Sequence, residues 1–490
     1  MRLSSIFQIS LFTAFTLALM SCSNTKSNDK NTTEQAPKPN ILVVLCDDLG
    51  YSDVGFNGSK DITTPALDAL ANEGTVFSSA YVVHPFCGPS RAGLMTGRYP
   101  HKLGAQFNLP PNSETIGKGI PTSETFISKV LQDAGYYTGA IGKWHLGSVA
   151  QYHPNVRGYD DFYGFLGGGH NYFPEQYQKA YHKQKAAGKE VIFEYLLPLE
   201  HNGEEVKETE YITDALSREA VRFVNDASKK EDPFFLYLAY NAPHTPLEAK
   251  DEDLAMFPNI EDKSRKTYAA MVYAVDRGVQ KIVNALKETN QLDNTLIVFL
   301  SDNGGKTSKG ATNFPLREGK GSTCEGGYRV PMFWYWPNRI KGGQKYDFNI
   351  SALDFYPTFA RLAGADIPEN KKLDGKDVWD DVLAGKDARK GEYIYALRHR
   401  EHWSDVGLRR DNWKALKVYN QPWALYNVSE DLGETKNLRN EHPEVLKQMV
   451  LEAQRWSQTH QQPQWWHDEA TGIAWHQEKM PHWDETFNFN

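Results

Sequence analysis

The 490-residue sequence has few cysteines and no excess of basic residues. Four cysteines are present, and 54 Lys and Arg residues are outnumbered by 62 Asp and Glu residues, for a net charge of -8. This balance argues against a nucleic-acid partner, although a local basic pocket can still hold an anionic substrate. No internal repeat is evident. The 40% hydrophobic content and the length predict one large core with a smaller appended unit.

Long apolar runs are also scarce, and the prominent one covers residues 6–20, behind Arg2. It is too short for a comfortable membrane span and predicts an export signal. The run ends in L-M-S-C at Cys22, which resembles a bacterial lipobox. We therefore expect cleavage before Cys22, lipid on that cysteine, and anchoring to the outer membrane facing the periplasm, since Ser23 follows. The alternative is an ordinary signal peptide with an incidental cysteine.

The chain divides into four predicted segments. Residues 1–22 are the signal peptide, 23–38 a polar tether that cannot pack a core, 39–375 the main domain, and 376–490 a C-terminal subdomain that contributes to substrate binding. Lipidation of Cys22 leaves an odd number of cysteines in an oxidising compartment, so one thiol needs an explanation. Pairing of Cys46 with Cys324 is open, because sequence does not show proximity.

Short apolar segments alternate with stretches of helical periodicity. This order predicts an α/β fold, with a mostly parallel sheet covered by helices on both faces. The C-terminal part has shorter mixed segments and predicts an antiparallel sheet followed by a helix. The predicted main-domain strands are residues 41–45, 137–141, 234–240 and 295–300, and the helices 123–134, 211–227 and 263–288; the later strands are 393–397, 413–418 and 423–426, before a helix at 443–457.

Polar residues follow several predicted strands directly. Asp47 and Asp48 come after the first, His244 lies shortly after the third, and Asp302 and Asn303 follow the fourth. The carboxyl ends of parallel strands meet at one sheet edge, so these groups should converge. Asp47, Asp48, Asp302 and Asn303 offer only oxygen ligands, which suits a hard cation, with calcium favoured over magnesium. Alone, adjacent acids at a strand end are more often a helix cap or turn.

A motif with Cys87 carries the strongest chemical signal. It reads C-G-P-S-R from Cys87 to Arg91, with T-G-R at residues 96–98. Pro89 suits the first turn of a helix, which places Cys87 at a helix N-terminus, where an anion is favoured. The motif resembles the type I sulfatase signature, in the alkaline-phosphatase-like superfamily. An isolated cysteine of this kind is usually a small buried residue at a turn.

The resemblance implies that Cys87 is oxidised to Cα-formylglycine by a formylglycine-generating or anaerobic maturing enzyme. That modification would account for the odd thiol. A hydrated aldehyde offers one hydroxyl as nucleophile and a second to release the sulfated intermediate. The implied ligands of one Ca²⁺ are Asp47, Asp48, Cys87, Asp302 and Asn303.

A second segment, residues 135–147, resembles the family's second signature and contains Lys143 and His145. By resemblance, Lys143 binds the sulfate, His145 is the base that breaks down the covalent intermediate, and Arg91 steadies the hydroxyls of residue 87. His244 and Lys320 would assist the leaving oxygen. The Lys320 assignment competes with other cations nearby, and a lone lysine in a glycine-rich loop is normally a solvated charge.

We expect the substrate to be a sulfated carbohydrate, either an algal polysaccharide or a glycosaminoglycan oligosaccharide. Its predicted contacts are His170, preceded by three glycines, and Arg398 of the C-terminal subdomain. Further candidates are Arg400, His402 and Arg409, with ring stacking from Trp403, Trp423, Trp465, Trp466, Trp475 and Trp483, although any one tryptophan is as readily core. The competing functions are a two-metal phosphatase or phosphodiesterase of the superfamily and a catalytically silent sugar-binding lipoprotein.

Overall fold

A computed structural model describes residues 37–111, 113–400, 403–418 and 420–477. The signal, the tether, Cys22, His402 and Trp483 lie outside these residues. Among the residues described, no helix combines the length and apolar character needed to cross a bilayer. The strands, in chain order, are β1 Asn40–Cys46, β2 Thr75–Phe77, β3 Ala80–Tyr81, β4 Tyr137–Lys143, β5 Asp161–Phe165, β6 Leu199–His201, β7 Glu204–Val206, β8 Phe234–Ala239, β9 Thr295–Ser301, β10 Met332–Tyr335, β11 Gln344–Tyr346, β12 Ile350–Ser351, β13 Tyr393–His399, β14 Ser404–Arg410, β15 Trp413–Lys417 and β16 Ala424–Asn427.

The helices differ widely in length. They are α1 Pro65–Asn72, α2 Cys87–Thr96, α3 Ser113–Ile116, α4 Ile127–Asp133, α5 Pro174–Ala186, α6 Ile212–Ala227, α7 Asp251–Leu254, α8 Lys263–Glu288, α9 Glu325–Tyr328, α10 Phe355–Ala363, α11 Trp379–Leu383, α12 Pro443–Ser457 and α13 Glu469–Gln477. The predicted helix at 263–288 is confirmed residue for residue, whereas the one predicted from residue 123 begins at Ile127.

Ten strands form the large sheet, in the order β11-β2-β10-β9-β1-β8-β4-β5-β6-β7. Its centre is parallel, with β1 between β8 and β9 and with β4 beside β8. Strand β10 runs antiparallel to β9, and β6 and β7 continue the other edge in antiparallel fashion. The prediction of a mostly parallel α/β sheet is confirmed.

Strand β1 shows why both faces are covered. Its alternate side chains point to opposite sides of the sheet. Ile41, Val43 and Leu45 belong to a buried cluster with residues of α2, α4 and α10, while Leu42 and Val44 belong to a second cluster with residues of α1, α6 and α8. All seven residues of β1 are buried, as expected for a central strand of a doubly covered sheet.

The C-terminal part adds a four-stranded antiparallel sheet, β13-β14-β15-β16, which α12 covers with an apolar face. Strands β13, β15 and β16 and helix α12 confirm the predicted elements. Strand β14 was not predicted. Its sequence S-D-V-G-L-R-R includes a glycine and three charges, yet its residues up to Arg409 are buried, because the strand lies between two others and its polar groups are paired in the interior.

Candidate active site

The polar residues that follow the parallel strands meet at the carboxyl edge of the sheet. Asp47 and Asp48 follow β1 directly, and Asp302 follows β9. Lys143 is the last residue of β4, and His244 lies five residues after β8. Because these four strands are neighbours in the sheet, one pocket receives side chains that are far apart in the sequence.

Helix α2 brings Cys87 to the same pocket. The helix begins at Cys87, after Phe86 in an extended conformation, so the predicted helix N-terminus is present. The Gly88 N–H donates to Asn108 Oδ1 at 2.9 Å. Cys87 is only 2% exposed. The thiol therefore lies at the floor of the pocket, where helix amides favour negative charge.

Charged side chains surround the Cys87 sulfur. The Sγ atom lies 3.4 Å from Asp47 Oδ1, and Lys320 Nζ lies 3.3 Å from Sγ. Lys320 Nζ also donates to Asp48 Oδ2 at 2.8 Å, and Lys143 Nζ donates to Asp47 Oδ2 at 2.5 Å. Each lysine thus pairs with one of two adjacent carboxylates while it faces the reacting position. The structure thus places Lys320 against Cys87, while its catalytic role remains a prediction.

Arg91 lies one helical turn after Cys87 and is completely buried. Its Nε donates to Asp302 Oδ2 at 2.8 Å, and its Nη1 donates to the Lys143 carbonyl at 2.9 Å. The guanidinium therefore links α2 to the ends of β4 and β9. It fixes the position of Cys87 relative to the sheet edge.

The dense charge alters the acidity of the site. Burial raises the pKa of Asp47, but Lys143, His244 and Arg91 outweigh that effect and hold the pKa well below its usual range. Burial and the negative charge of Asp47 raise the pKa of Asp302 to about 6, against the opposing influence of Arg91. Burial and Asp47 also raise the pKa of the Cys87 thiol to about 12. An unmodified Cys87 is consequently protonated at neutral pH.

Two histidines flank this cluster. His145 has a left-handed backbone with φ of 60°, a conformation that costs a non-glycine residue about 1–3 kcal/mol and often marks a functional position. Burial and the nearby Lys143 lower its pKa well below the usual value. His244 Nδ1 lies 2.7 Å from the Thr245 carbonyl, so Nδ1 donates there and Nε2 faces Asp48 at 3.7 Å. Only Nε2 of His244 is free to exchange a proton with a ligand.

The site contains the ligand atoms that a hard cation needs. Asn303 donates from Nδ2 to Asp48 Oδ1 at 2.8 Å, while its buried Oδ1 has no hydrogen-bond partner. One carboxylate oxygen each of Asp47 and Asp48, the Cys87 sulfur and a His244 ring nitrogen lie within 4.8 Å of one another. An unpartnered amide oxygen beside clustered carboxylates fits a cation such as calcium.

Glu194 and Tyr195 also line the site, although the sequence analysis did not select them. They lie in a 3-10 turn, Glu194–Leu196, that closes over the three glycines at 167–169. A methyl group at Gly168 would meet His145 Nε2 at 2.9 Å and Glu194 Oε1 at 3.1 Å. Burial raises the pKa of Glu194 to about 7. The glycines are needed because these side chains pack directly on them, a reason no local motif reveals.

His170 does not lie as predicted. The ring is 1% exposed, with Nδ1 2.6 Å from the Asn171 carbonyl and Nε2 2.7 Å from the Leu197 carbonyl. A ring held by two backbone groups in the interior is not a polar handle for a ligand. His170 instead holds the segment of Glu194 in place, so the expectation of direct substrate contact is not met.

The C-terminal residues fall into two groups. Trp423, Trp465 and Trp475 are at most 5% exposed and belong to the core, and Arg409 is buried with its Nε 2.7 Å from the Tyr81 hydroxyl. None of these four residues lines the cavity beside Cys87. Three others line a cavity of about 330 Å³ near Cys87, together with Phe86 and Asn108: Arg398, Arg400 and Trp403.

The remaining cysteines do not form a disulfide. Cys46 lies in β1, while Cys324 lies next to the start of α9, and both are buried free thiols. Burial is the first cause of the raised pKa of each thiol. Among the residues described, three cysteines are therefore unpaired, and pairing of Cys46 with Cys324 does not occur in this structure.

Most of the chain matches known protein families. Residues 39–365 match the family described as Sulfatase, and residues 320–460 match the family described as N-sulphoglucosamine sulphohydrolase, C-terminal. The chain is 34% identical to N-acetylgalactosamine-6-sulfatase of Mus musculus, over 84% of this chain and 79% of that protein. It is also 34% identical to the uncharacterized sulfatase YdeN of Escherichia coli K12, over 75% of this chain and 70% of that protein.

A solved structure is much more similar. The crystal structure of Ps i-CgsB in complex with k-i-k-neocarrahexaose superposes with a TM-score of 0.91 at 61% identity. The match covers 92% of this chain and all of that chain. The similarity thus includes both the large sheet and the C-terminal sheet.

Proposed function

The chain belongs to the sulfatase family and is a sulfuric ester hydrolase, and we propose that it removes sulfate from a sulfated galactan of the carrageenan class. The observation that carries the proposal is the 61% identity, over 92% of the chain, to a protein solved with a bound neocarrahexaose. The mouse relative, by its name a sulfatase of an N-acetylgalactosamine 6-sulfate, is more distant at 34%. A galactan is therefore preferred to a glycosaminoglycan.

The family uses a metal ion and a formylglycine. For this chain we assign one calcium ion to Asp47, Asp48, Asp302 and Asn303, with residue 87 as the formylglycine. When present, the cation supplies positive charge to the oxygens of the ester. As an aldehyde hydrate, residue 87 would supply a hydroxyl nucleophile at the floor of the pocket. The unpartnered Asn303 Oδ1 and the placement of Cys87 among these side chains support the assignment.

The side chains of the site then have distinct roles. Lys143 and Lys320 carry positive charge on either side of residue 87 and bind the anionic sulfate. Arg91 binds no substrate atom in this scheme; it orients Asp302 and the first turn of α2. The buried site excludes water and strengthens each of these electrostatic contacts.

Proton transfer is assigned to the two histidines and a lysine. Lys320, whose ammonium is charged, supplies the proton that the sugar alcohol takes as the S–O bond breaks. Burial and Lys320 lower the pKa of His244 to about 4, so its unprotonated Nε2 can receive that proton and pass it to the alcohol. His145 accepts a proton at residue 87 so that sulfate is released and the site is restored. The net reaction consumes one water and yields the free alcohol and sulfate.

The test measures sulfate release from several substrates by protein co-produced with a maturing enzyme. Ion chromatography follows carrageenan oligosaccharides, chondroitin 6-sulfate oligosaccharides, a small aryl sulfate and the matching aryl phosphate. We expect release from the carrageenan oligosaccharides with a higher kcat/KM than from the other three. Faster turnover of the glycosaminoglycan would overturn the galactan assignment, and faster turnover of the phosphate would favour the phosphatase alternative.

We also propose that the protein is exported and attached by lipid on Cys22 to the outer membrane, facing the periplasm. The lipobox-like L-M-S-C sequence supports this location. The expected result for Cys22→Ser is a shift of the protein from the membrane fraction to the soluble fraction after cell fractionation. A wild-type protein that is already soluble after export contradicts the proposal.

A further inference from the structure

Two cavities flank the reacting position, and their charges are opposite. The cavity on the side of Glu194 measures about 610 Å³ and is lined by five glutamates and by one lysine, Lys185. These glutamates are Glu114, Glu190, Glu194, Glu200 and Glu205. The cavity on the side of Phe86 measures about 330 Å³ and contains Arg398 and Arg400. A polyanionic chain is repelled by the first cavity and attracted by the second.

Arg398 is fixed next to the catalytic residues. Its guanidinium lies 4.5 Å from the ring centre of Phe86, the residue before Cys87. Its Nη1 donates to the carbonyl of Gly321, the residue after Lys320. The Gly321 N–H in turn donates to the Pro85 carbonyl at 2.9 Å. Arg398 therefore lies against both segments that build the sulfate site.

Among the residues described, Asp405 offsets the positive charge of Arg398 only from a distance. No carboxylate of the described residues forms an ion pair with it, whereas Arg400 pairs with Asp405 at 2.8 Å. Arg400 Nη2 also lies 3.5 Å from the Gly321 carbonyl, so two guanidinium groups approach one oxygen. Arg398 Nε is buried and has no hydrogen-bond partner. A half-buried, unpaired guanidinium is unfavourable unless an anion binds to it.

The rest of this cavity suits a sugar ring. Phe86 and Trp403 line it, with the guanidinium groups of Arg398 and Arg400 over their rings. The volume lies at the lower end of the range for small-molecule sites, as for a single sugar unit. Asp468 also lines the cavity, but its Oδ1 accepts the Thr471 N–H at 2.8 Å near the start of α13. Its charge is thus partly offset by the N-terminus of a helix.

We infer that Arg398, with Arg400, forms a second anion site that binds a sulfate ester on the sugar next to the one being cleaved. The inference rests on the proposed function and deepens it, since the preferred substrate then carries sulfate on two adjacent sugars. The oligosaccharide extends from residue 87 towards the C-terminal sheet and away from the acidic cavity. Arg398 is a specificity residue and takes no part in proton transfer.

The test compares Arg398→Gln and Arg398→Lys with wild type on two carrageenan oligosaccharides of equal length. One carries sulfate on adjacent sugars, and the other only on the sugar that is cleaved. For Arg398→Gln we expect kcat/KM on the first substrate to fall about 10- to 100-fold, mainly through KM, as for loss of a charged hydrogen bond. The loss on the second substrate should be much smaller, and Arg398→Lys should recover part of the preference.

The matched control is Lys185→Gln, which removes the single lysine of the acidic cavity. It should leave kcat/KM on each of the two oligosaccharides within about 2-fold of wild type. Circular dichroism checks that each variant is folded. Equal losses on both oligosaccharides, or an unchanged preference in Arg398→Gln, would overturn the second anion site while the proposed function stands. If wild type instead prefers another doubly sulfated sugar, the galactan assignment fails, and the same pair of variants tests the anion site with that sugar.

Discussion

Lys414 Nζ lies 2.9 Å from Glu325 Oε1, and neither side chain is exposed to solvent. Lys414 belongs to β15 of the C-terminal sheet, and Glu325 begins α9, beside the loop of Lys320. Glu434 Oε1 lies 3.3 Å from the same ammonium. Burial raises the pKa of Glu325, but Lys414 and the neighbouring arginines outweigh it, so the pKa lies well below its usual range. The pair joins the C-terminal sheet to the segment that carries a site lysine.

Replacing Lys414 should destabilise the whole molecule. In Lys414→Met, the buried Glu434 loses its lysine partner and Glu325 keeps only Arg329 and Arg409. Loss of one partner of a buried ion pair costs about 3–5 kcal/mol. Urea unfolding measures the free energy of unfolding. The control is Lys436→Met at an exposed pair with Glu441, where we expect a loss below about 1 kcal/mol. A Lys414 variant as stable as this control would show that the buried pair is dispensable.

Cys87 should not be a thiol in active protein. Peptide mass spectrometry of fully active material is expected to find an aldehyde at residue 87, and an unmodified cysteine there would contradict the mechanism. Cys87→Ala should lower turnover by at least about 1,000-fold, because it removes the nucleophile. The variant should remain folded, since the substitution removes one sulfur atom at the pocket floor. Near-UV circular dichroism provides the check.

Asp302 should be needed for the metal as well as for activity. In Asp302→Ala we expect the bound calcium, measured by elemental analysis, to fall with kcat/KM. Asp354→Asn is a suitable comparison, because Asp354 is also buried and paired with an arginine, Arg389, but lies outside the site. It should keep its calcium although it is less stable. Full calcium content in Asp302→Ala would refute the ligand assignment.

Glu194 should limit activity at alkaline pH. Its carboxyl, with a pKa of about 7, is neutral below that pH and anionic above it, and it lies beside His145. An anion there repels a sulfate ester, so kcat/KM should fall as the pH rises through 7. Glu194→Gln keeps the shape without the charge, and its profile from about pH 6 to 9 should lose this decline. Glu190→Gln, farther along the same cavity wall, should retain it.

The parallel sheet could be predicted because each of its central strands is a short apolar segment followed at once by polar residues. The strands at one edge of the sheet could not be predicted in this way. Strands β6 and β7 have three residues each, and Glu204 and Glu205 in β7 are exposed. Their pairing depends on β5, which lies far away in the sequence. Strand β14 was not predicted because its buried, ion-paired side chains make an interior strand look polar in the sequence.

The residues of the inner site could be predicted from motifs, and the structure brings them together around Cys87; their chemical roles remain predictions. Residues whose function depends on distant contacts could not be assigned from sequence. The glycines before His170 suggested an exposed ring, but Glu194 and Tyr195 fill the space above them. Arg398 and Arg409 lie on the neighbouring strands β13 and β14, yet Arg398 lines a cavity whereas Arg409 is buried. Whether such a residue lines a cavity or is buried depends on the elements that pack against it. A local sequence pattern carries no information about that packing.

The position of β1 between β8 and β9 affects how the protein folds. Asn40 donates from its side-chain amide to Thr295, 255 residues later, and the two residues are partners in the ladder. Contacts this distant in the sequence form slowly, because a long loop must close first. During synthesis, the apolar strand β1 therefore lacks its neighbour β9 until the ribosome has released residues near 300. A chain that stops before β9 would leave β1 as an unpaired, aggregation-prone edge and would lack Asp302 and Lys320.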